Sequence, residues 1–280
     1  MISEVIRSRD NALVKRLGKI ENSARERRSL GRTLIEGENL IRAYIESGAG
    51  EIDTLVAGES ALERASVSAL FESVAAGRRA VLEDALLARF SDVVASAGLI
   101  ALVAIPPEPE WPLRIADAVV LERIQDPGNL GSILRSAQAA GVGQVFLTPG
   151  SALAWSPKVL RAGMGAHFKL AIREGADIGR IRACASGKIL AASSRSGHPI
   201  YDVDLRGPVI WVFGNEGAGL SELAVSAAAE TVCIPMPGGA ESLNVASAAA
   251  VCLFEQARQR NGAAKTARGY IPSRSPESGA

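Results

Sequence analysis

The chain has 280 residues, of which 48% are apolar, 22% charged and 4% aromatic, and its net charge of +1 divides into +5 over residues 1–32, +3 over residues 255–280 and −7 between them. That length leaves room for a large core and two domains, while the longest apolar runs, near Leu99 to Pro107 and Val245 to Phe254, are too short to cross a bilayer and no stretch has the form of a signal peptide, so a cytoplasmic protein with no membrane partner is expected. Cys184, Cys233 and Cys252 lie far apart without CxxC spacing and the two histidines are His167 and His198, so neither a disulfide framework nor a metal centre is expected.

The first element is a basic amphipathic helix, Asn11 to Glu26, with Leu13, Leu17 and Ile20 on one face and Lys15, Arg16, Lys19, Arg25 and Arg27 around the others. It is not hydrophobic enough to anchor in a membrane. Such basic ends are either solvated or in contact with phosphate. A strand is expected over Thr33 to Ile35, a helix over Glu38 to Ser47, a second strand over Ile52 to Val56, mostly helical sequence from Leu62 to Phe90, and a strand from Leu99 to Ile105. Together these make a small α/β domain. Pro106, Pro107, Pro109 and Pro112 then suggest a stiff, extended spacer, and the domain boundary is expected there.

Beyond it, strands and helices alternate, as in a parallel sheet covered on both faces. Strands are expected at Ala118 to Leu121, Val145 to Leu147, Ile189 to Ala192, Val209 to Phe213 and Thr231 to Ile234; helices at Leu130 to Ala140, Lys158 to Met164 and Ile178 to Ala185. A last helix opens at Ser242 with no charge before Glu255. It is expected to be buried on most sides, with Leu243, Ala246, Ala250, Leu253 and Ala257 as its inner stripe. Ligands on such sheets bind beyond the carboxyl ends of the strands.

Three loops lie there. Gln125 to Gly131 has two glycines and a proline before a helix, a tight turn that presents N–H groups to something anionic. Arg135 follows on that helix, and because helical side chains lean toward the N-terminus, Gly131 would leave it an open path back to the loop. It is expected to meet a carboxylate, a phosphate or solvent, a structural ion pair being the bland alternative. Gly214 to Ser221 holds three glycines and one carboxylate, Glu216. Pro235 to Asn244 leads into the last helix, where Ser242 and Asn244 are either caps or site residues.

DPGNLGSILRSA, VFGNEGAGLS and CIPMPGGAESLNVASA, in that order and spacing, resemble the three motifs of the SpoU or TrmH family of RNA ribose 2′-O-methyltransferases across about residues 117 to 260. Residues Thr33 to Ile105 more loosely resemble the ribosomal-protein-like substrate-binding domain that many of these enzymes carry. The resemblance implies a C-terminal SPOUT α/β fold whose last segment is threaded into a trefoil knot, usually in a homodimer. It implies S-adenosylmethionine as cofactor, held by Ser193, Gly214, Ile234, Met236 and Leu243, with no metal. It gives Arg135 the central catalytic role, assisted by an RNA phosphate, with Asn129, Glu216, Ser242 and Asn244 arranging the site. A guanidinium keeps its proton in nearly all protein settings, so Arg135 is read as a phosphate clamp that orients the hydroxyl while the proton leaves through phosphate or water. The expected layout is a basic arm (1–31), an RNA-substrate-binding domain (32–106), a linker (107–116), the methyltransferase domain (117–261) and a tail (262–280). Ribosomal RNA is favoured over tRNA as partner, by analogy of length and N-terminal domain. A non-catalytic RNA-binding factor on the same fold, and a nucleotide-binding oxidoreductase, are the rival readings; the second lacks any GxGxxG fingerprint.

Overall fold

The computed structural model describes residues 4–90, 98–194 and 197–268. The N-terminal elements are β1 (Val5–Ile6), α1 (Ala12–Asn22), α2 (Ala24–Leu30), β2 (Arg32–Glu36), α3 (Glu38–Ser47), β3 (Ile52–Gly58), α4 (Ala65–Ser73), β4 (Arg79–Leu82), α5 (Asp84–Leu87) and β5 (Leu99–Ala104). They build a mixed five-stranded sheet in the order β1-β4-β3-β5-β2. The single basic helix expected over Asn11 to Glu26 is two helices. Ser23 adopts an extended backbone, ends α1, and accepts a hydrogen bond from the Glu26 N–H to start α2. Arg27 is buried rather than displayed: its guanidinium donates to the carbonyls of Ile20 and Glu21, satisfying the free end of α1. The stretch from Leu62 to Phe90 is not mostly helical, because β4 lies within it and pairs in parallel with both β1 and β3. Four residues are too few to show a period of two against the helices around them.

The second half contains β6 (Ala118–Leu121), α6 (Pro127–Ala139), β7 (Gln144–Leu147), α7 (Pro157–Gly163), β8 (Ala171–Arg173), α8 (Ile178–Cys184), β9 (Lys188–Ala192), β10 (His198–Pro199), β11 (Val209–Phe213), α9 (Glu222–Ala227), β12 (Glu230–Cys233) and α10 (Val245–Arg268). Its seven strands run in the order β10-β12-β9-β11-β6-β7-β8, and every pairing between them is parallel. The strands are near-continuous apolar runs because both faces are covered; β11 is buried at all five positions. Trp211 lies fully buried with its indole N–H donated to Gln256 of α10, whose amide in turn donates to Asp117.

The last helix differs from expectation in three ways. It starts at Val245, not Ser242, because Asn244 is its cap, accepting from the N–H groups of Ala246 and Ser247. Its most buried residues are Ala249, Cys252, Leu253, Glu255 and Gln256; of the expected stripe Leu253 is buried and Ala246 packs against the core, whereas Ala250 and Ala257 are half-buried and Leu243 is exposed, and Phe254 is half exposed. It also continues to Arg268, into the segment expected as a tail, of which residues 269–280 lie outside the described residues.

The two sheets share packing. Leu160 of α7 belongs to the hydrophobic cluster of the N-terminal sheet, with Trp155 and Phe168 against it. Thr33 Oγ1 donates to the Trp155 carbonyl at 2.8 Å, and Arg161 pairs with Glu36 at 3.4 Å. The proline-rich stretch is docked rather than a free spacer: Arg173 donates twice to the Glu110 carbonyl, and Trp111 lies between Phe146 and the guanidinium of Arg180.

His167 sits at this junction, buried and tilted against Trp155, with Nε2 2.9 Å from the Ala154 carbonyl. A carbonyl only accepts, so the neutral ring carries its proton on Nε2. Burial pushes its pKa down to about 4 from an ordinary 6.5. Below about 6.5 the unfolded chain binds a proton that the folded chain refuses; stability is therefore full above that pH and falls as pH drops toward 4. The loss attributable to His167 is about 3 kcal/mol. His167→Gln keeps a donor for Ala154 and cannot titrate, so its melting temperature should fall less between pH 7 and pH 5 than that of the natural protein. Parallel pH profiles would remove His167 as the cause.

Candidate active site

Strands β12, β9, β11 and β6 are adjacent and parallel, so the segments that follow them emerge side by side. Asp126 begins the first of the joined helices, accepting the Asn129 N–H at 2.7 Å, and Pro127 stands at the first helical position. This start signal places α6 three residues before the expected Leu130. After β11, Gly214 has no room for a side chain: a Cβ would lie 2.4 to 2.6 Å from the backbone of Gly219 and Leu220. The loop closes on itself through paired hydrogen bonds between Asn215 and Gly219, at 3.0 and 2.9 Å. Asn215 Oδ1 also accepts from the N–H groups of Gly217 and Ala218.

A chain of side-chain hydrogen bonds joins the three loops. Glu216 accepts from Asn129 Nδ2 at 3.1 Å and from the N–H groups of Gln125 and Asp126. Asn129 Oδ1 then accepts from Asn244 Nδ2 at 2.8 Å. Partial burial works against ionisation of Glu216, but these donors outweigh it and hold its pKa below the usual carboxylate value. Each amide is thereby fixed in one orientation, since Asn129 must donate to the carboxylate and accept from Asn244.

The loops enclose an open cleft of about 960 Å³. Ser193, Gly214, Ile234, Met236 and Leu243 line it, and so do Asn129, Glu216, Ser242 and Asn244. Nine of the ten residues singled out in the sequence are thus together. Arg135 is not among the lining residues. It is exposed on α6, and its guanidinium makes no hydrogen bond or ion pair with the described residues. The path past Gly131 is not what frees it: Gly131 is buried against α7, where a Cβ would lie 2.4 Å from that of Ala162 and 2.7 Å from the Val159 carbonyl oxygen.

Two supporting residues carry no sequence signal of their own. Glu122 is buried at the end of β6 and accepts from both the N–H and the hydroxyl of Ser221, fixing the far side of the glycine loop. Arg123 has a positive φ of 53°, in the left-handed region, which costs a residue with a β-carbon about 1–2 kcal/mol. Its N–H donates to Thr148 Oγ1 at 3.1 Å and its carbonyl accepts from Asn215 Nδ2 at 2.8 Å.

A cleft of this size suits a nucleoside-sized ligand. Backbone groups at glycine turns, apolar walls at Ile234 and Leu243 and a hydroxyl at Ser193 suit one with an adenine, a ribose and a sulfonium. The parallel sheet with these three joined loops defines an α/β methyltransferase of the SPOUT kind.

The comparisons agree. Residues 117–254 match the model of the SpoU rRNA methylase family. The chain is 30% identical over 273 residues to an uncharacterized tRNA/rRNA methyltransferase of Synechocystis, covering 91% of this chain and 94% of that one. It is 31% identical over 254 residues to the 23S rRNA (guanosine(2553)-2′-O)-methyltransferase RlmP of Bacillus subtilis, covering 89% and 97%. Among solved structures, the SpoU methyltransferase AviRb of Streptomyces viridochromogenes in complex with the cofactor AdoMet superposes with a TM-score of 0.78 at 28% identity, covering 90% and 100%. The chain belongs to the SpoU rRNA methylase family. It is a methyltransferase whose methyl donor is S-adenosylmethionine.

Asn129 is the middle of the three-loop chain, and its loss should be felt in the reaction. Asn129→Ala should lower methyl transfer by about 10- to 100-fold, the scale of a misplaced reacting group. Asn129→Asp should be at least as damaging, because a second carboxylate would face Glu216 across the same 3.1 Å. Single-turnover rates test this, and a fully active Asn129→Ala enzyme would show that the link is dispensable.

Proposed function

We propose that this chain transfers the methyl group of S-adenosylmethionine to a ribose 2′-hydroxyl of ribosomal RNA. The observation that carries the reading is the continuous Glu216–Asn129–Asn244 chain, which ties three loops into one cleft. Ser193, Gly214, Ile234, Met236 and Leu243 would hold the cofactor, whose sulfonium supplies an electrophilic methyl group. Asn129, Glu216, Ser242 and Asn244 arrange the acceptor side. Arg135, exposed and without a protein partner, fits a phosphate fork that sets the ribose for in-line attack, while the hydroxyl proton leaves through phosphate or water.

On the same reading, residues 32–106 form the RNA-substrate-binding domain, preceded by a basic arm (1–31) and joined through residues 107–116 to the methyltransferase domain (117–261), which carries the trefoil knot. Ribosomal rather than transfer RNA is favoured because RlmP of Bacillus subtilis, which is named for 23S rRNA, aligns along nearly its whole length. A homodimer through this domain is part of the same reading, by resemblance to the family. No helix of the described residues is long and apolar enough to cross a membrane. Work on ribosomal RNA would place the protein in the cytoplasm.

Transfer of labelled methyl to separated ribosomal and transfer RNA, followed by nucleoside analysis, tests the reading. A 2′-O-methylnucleoside in ribosomal RNA is expected. Label in tRNA alone would move the substrate, and cofactor binding without transfer to either would favour the non-catalytic factor. Sedimentation of the full chain tests the dimer.

A further inference from the structure

Arg123 combines three features that no other described residue shares. Its backbone is left-handed without being glycine and without ending a helix; the other such residue, Met164, is the C-cap of α7. That conformation is locked from two sides, by Thr148 after β7 and by Asn215, which lines the cleft. The side chain is exposed, and the guanidinium pairs with no described residue. Its stem passes beside Gly150, where a Cβ would stand in ordinary contact at 3.4 Å from Arg123 Cγ and 3.8 Å from Cδ.

Glycine would fill this position without strain. An exposed arginine stands there instead, next to Ile124 and the turn that carries Asn129. Strain of this kind at a site is a pointer to function when the fold itself does not use the side chain. We propose that Arg123 is a positioning residue for the acceptor: its guanidinium takes an RNA backbone phosphate of a nucleotide flanking the target ribose, on the β7 side of the cleft. The proposal rests on the reading of RNA as acceptor. Planar fork geometry suits a phosphate, and the locked backbone spares the interaction part of its ordering cost.

The test uses the full chain and unmodified 23S ribosomal RNA transcribed in vitro, with unmodified tRNA in parallel. Binding is measured over a series of salt concentrations, alongside methyl transfer, cofactor affinity and melting temperature. Arg123→Gly should melt no lower than the natural protein and bind S-adenosylmethionine equally well. Its RNA affinity should fall about three- to tenfold, and the slope of log affinity against log salt should shrink by about one. Arg123→Lys should keep most of that slope. An unchanged slope and affinity in Arg123→Gly, with the natural protein active, would overturn the phosphate contact and leave Arg123 a structural residue. A natural protein that methylates and binds neither RNA would overturn the acceptor reading itself, and the proposal with it.

Discussion

Arg135→Ala should bind S-adenosylmethionine as well as the natural protein does and transfer its methyl group at least about 100-fold more slowly, the usual cost of removing one preorganised charge-stabilising donor. The first half follows from position, because Arg135 is absent from the lining of the cleft. The second follows from its having no partner among the described residues: an exposed arginine on a helix, with no other charge on that helix, is available to the RNA. Arg135→Lys separates charge from geometry. Lysine keeps the point charge but cannot span two phosphate oxygens, so it should recover only part of the rate. Titration calorimetry for the cofactor and single-turnover transfer for the reaction distinguish the two effects, and an alanine variant with the natural rate would remove Arg135 from the mechanism.

Gly214→Ala should act in the opposite way, through the cofactor. A methyl group at this position meets only backbone, at 2.4 to 2.6 Å, and no side chain can swing aside to make room. The Asn215–Gly219 pairing would have to open, moving the loop that carries Glu216. The overpacking should lower stability by about 1–3 kcal/mol. Cofactor affinity should drop by at least about tenfold, the equivalent of losing one to two good contacts. Melting and calorimetric titration measure both; natural affinity in the variant would show that the cofactor does not rest on this loop.

Much of this site was legible because its parts lie in short, local patterns. The glycine- and proline-bearing turn at residues 125–131 announces a helix, although its start at Asp126-Pro127 lies three residues before the expected one, the glycines of residues 214–219 mark a tight loop, and strand runs such as Val209 to Phe213 can only be buried on both faces. Order along the chain then places those loops at one edge. What stayed hidden depends on contacts distant in sequence. Asn129 and Asn244 are 115 residues apart, and nothing local says that one amide must accept from the other. Glu122 reads as a lone charge after a strand until Ser221 is beside it. The last helix is buried or half-buried along most of its length, as its lack of charge before Glu255 suggests, but alanine spacing alone does not say that Ala249, Cys252, Leu253, Glu255 and Gln256 are the deepest positions. In the N-terminal half, β4 was missed since a four-residue strand has no period to detect.

The shared packing at the junction sets how a substrate can be chosen. With Leu160 completing the neighbouring core, Thr33 tied to the Trp155 carbonyl, and the proline-rich stretch fastened by Arg173, the two halves are braced together. A molecule built this way works as a fixed gauge. On the proposed reading that the first sheet contacts RNA, such a contact would lie at a set distance from the cleft, and a nucleotide would be selected by where it stands relative to a remote feature of its own RNA. The bending needed for a fit would then fall on the nucleic acid, and RNAs too stiff or too short to reach both points would be passed over.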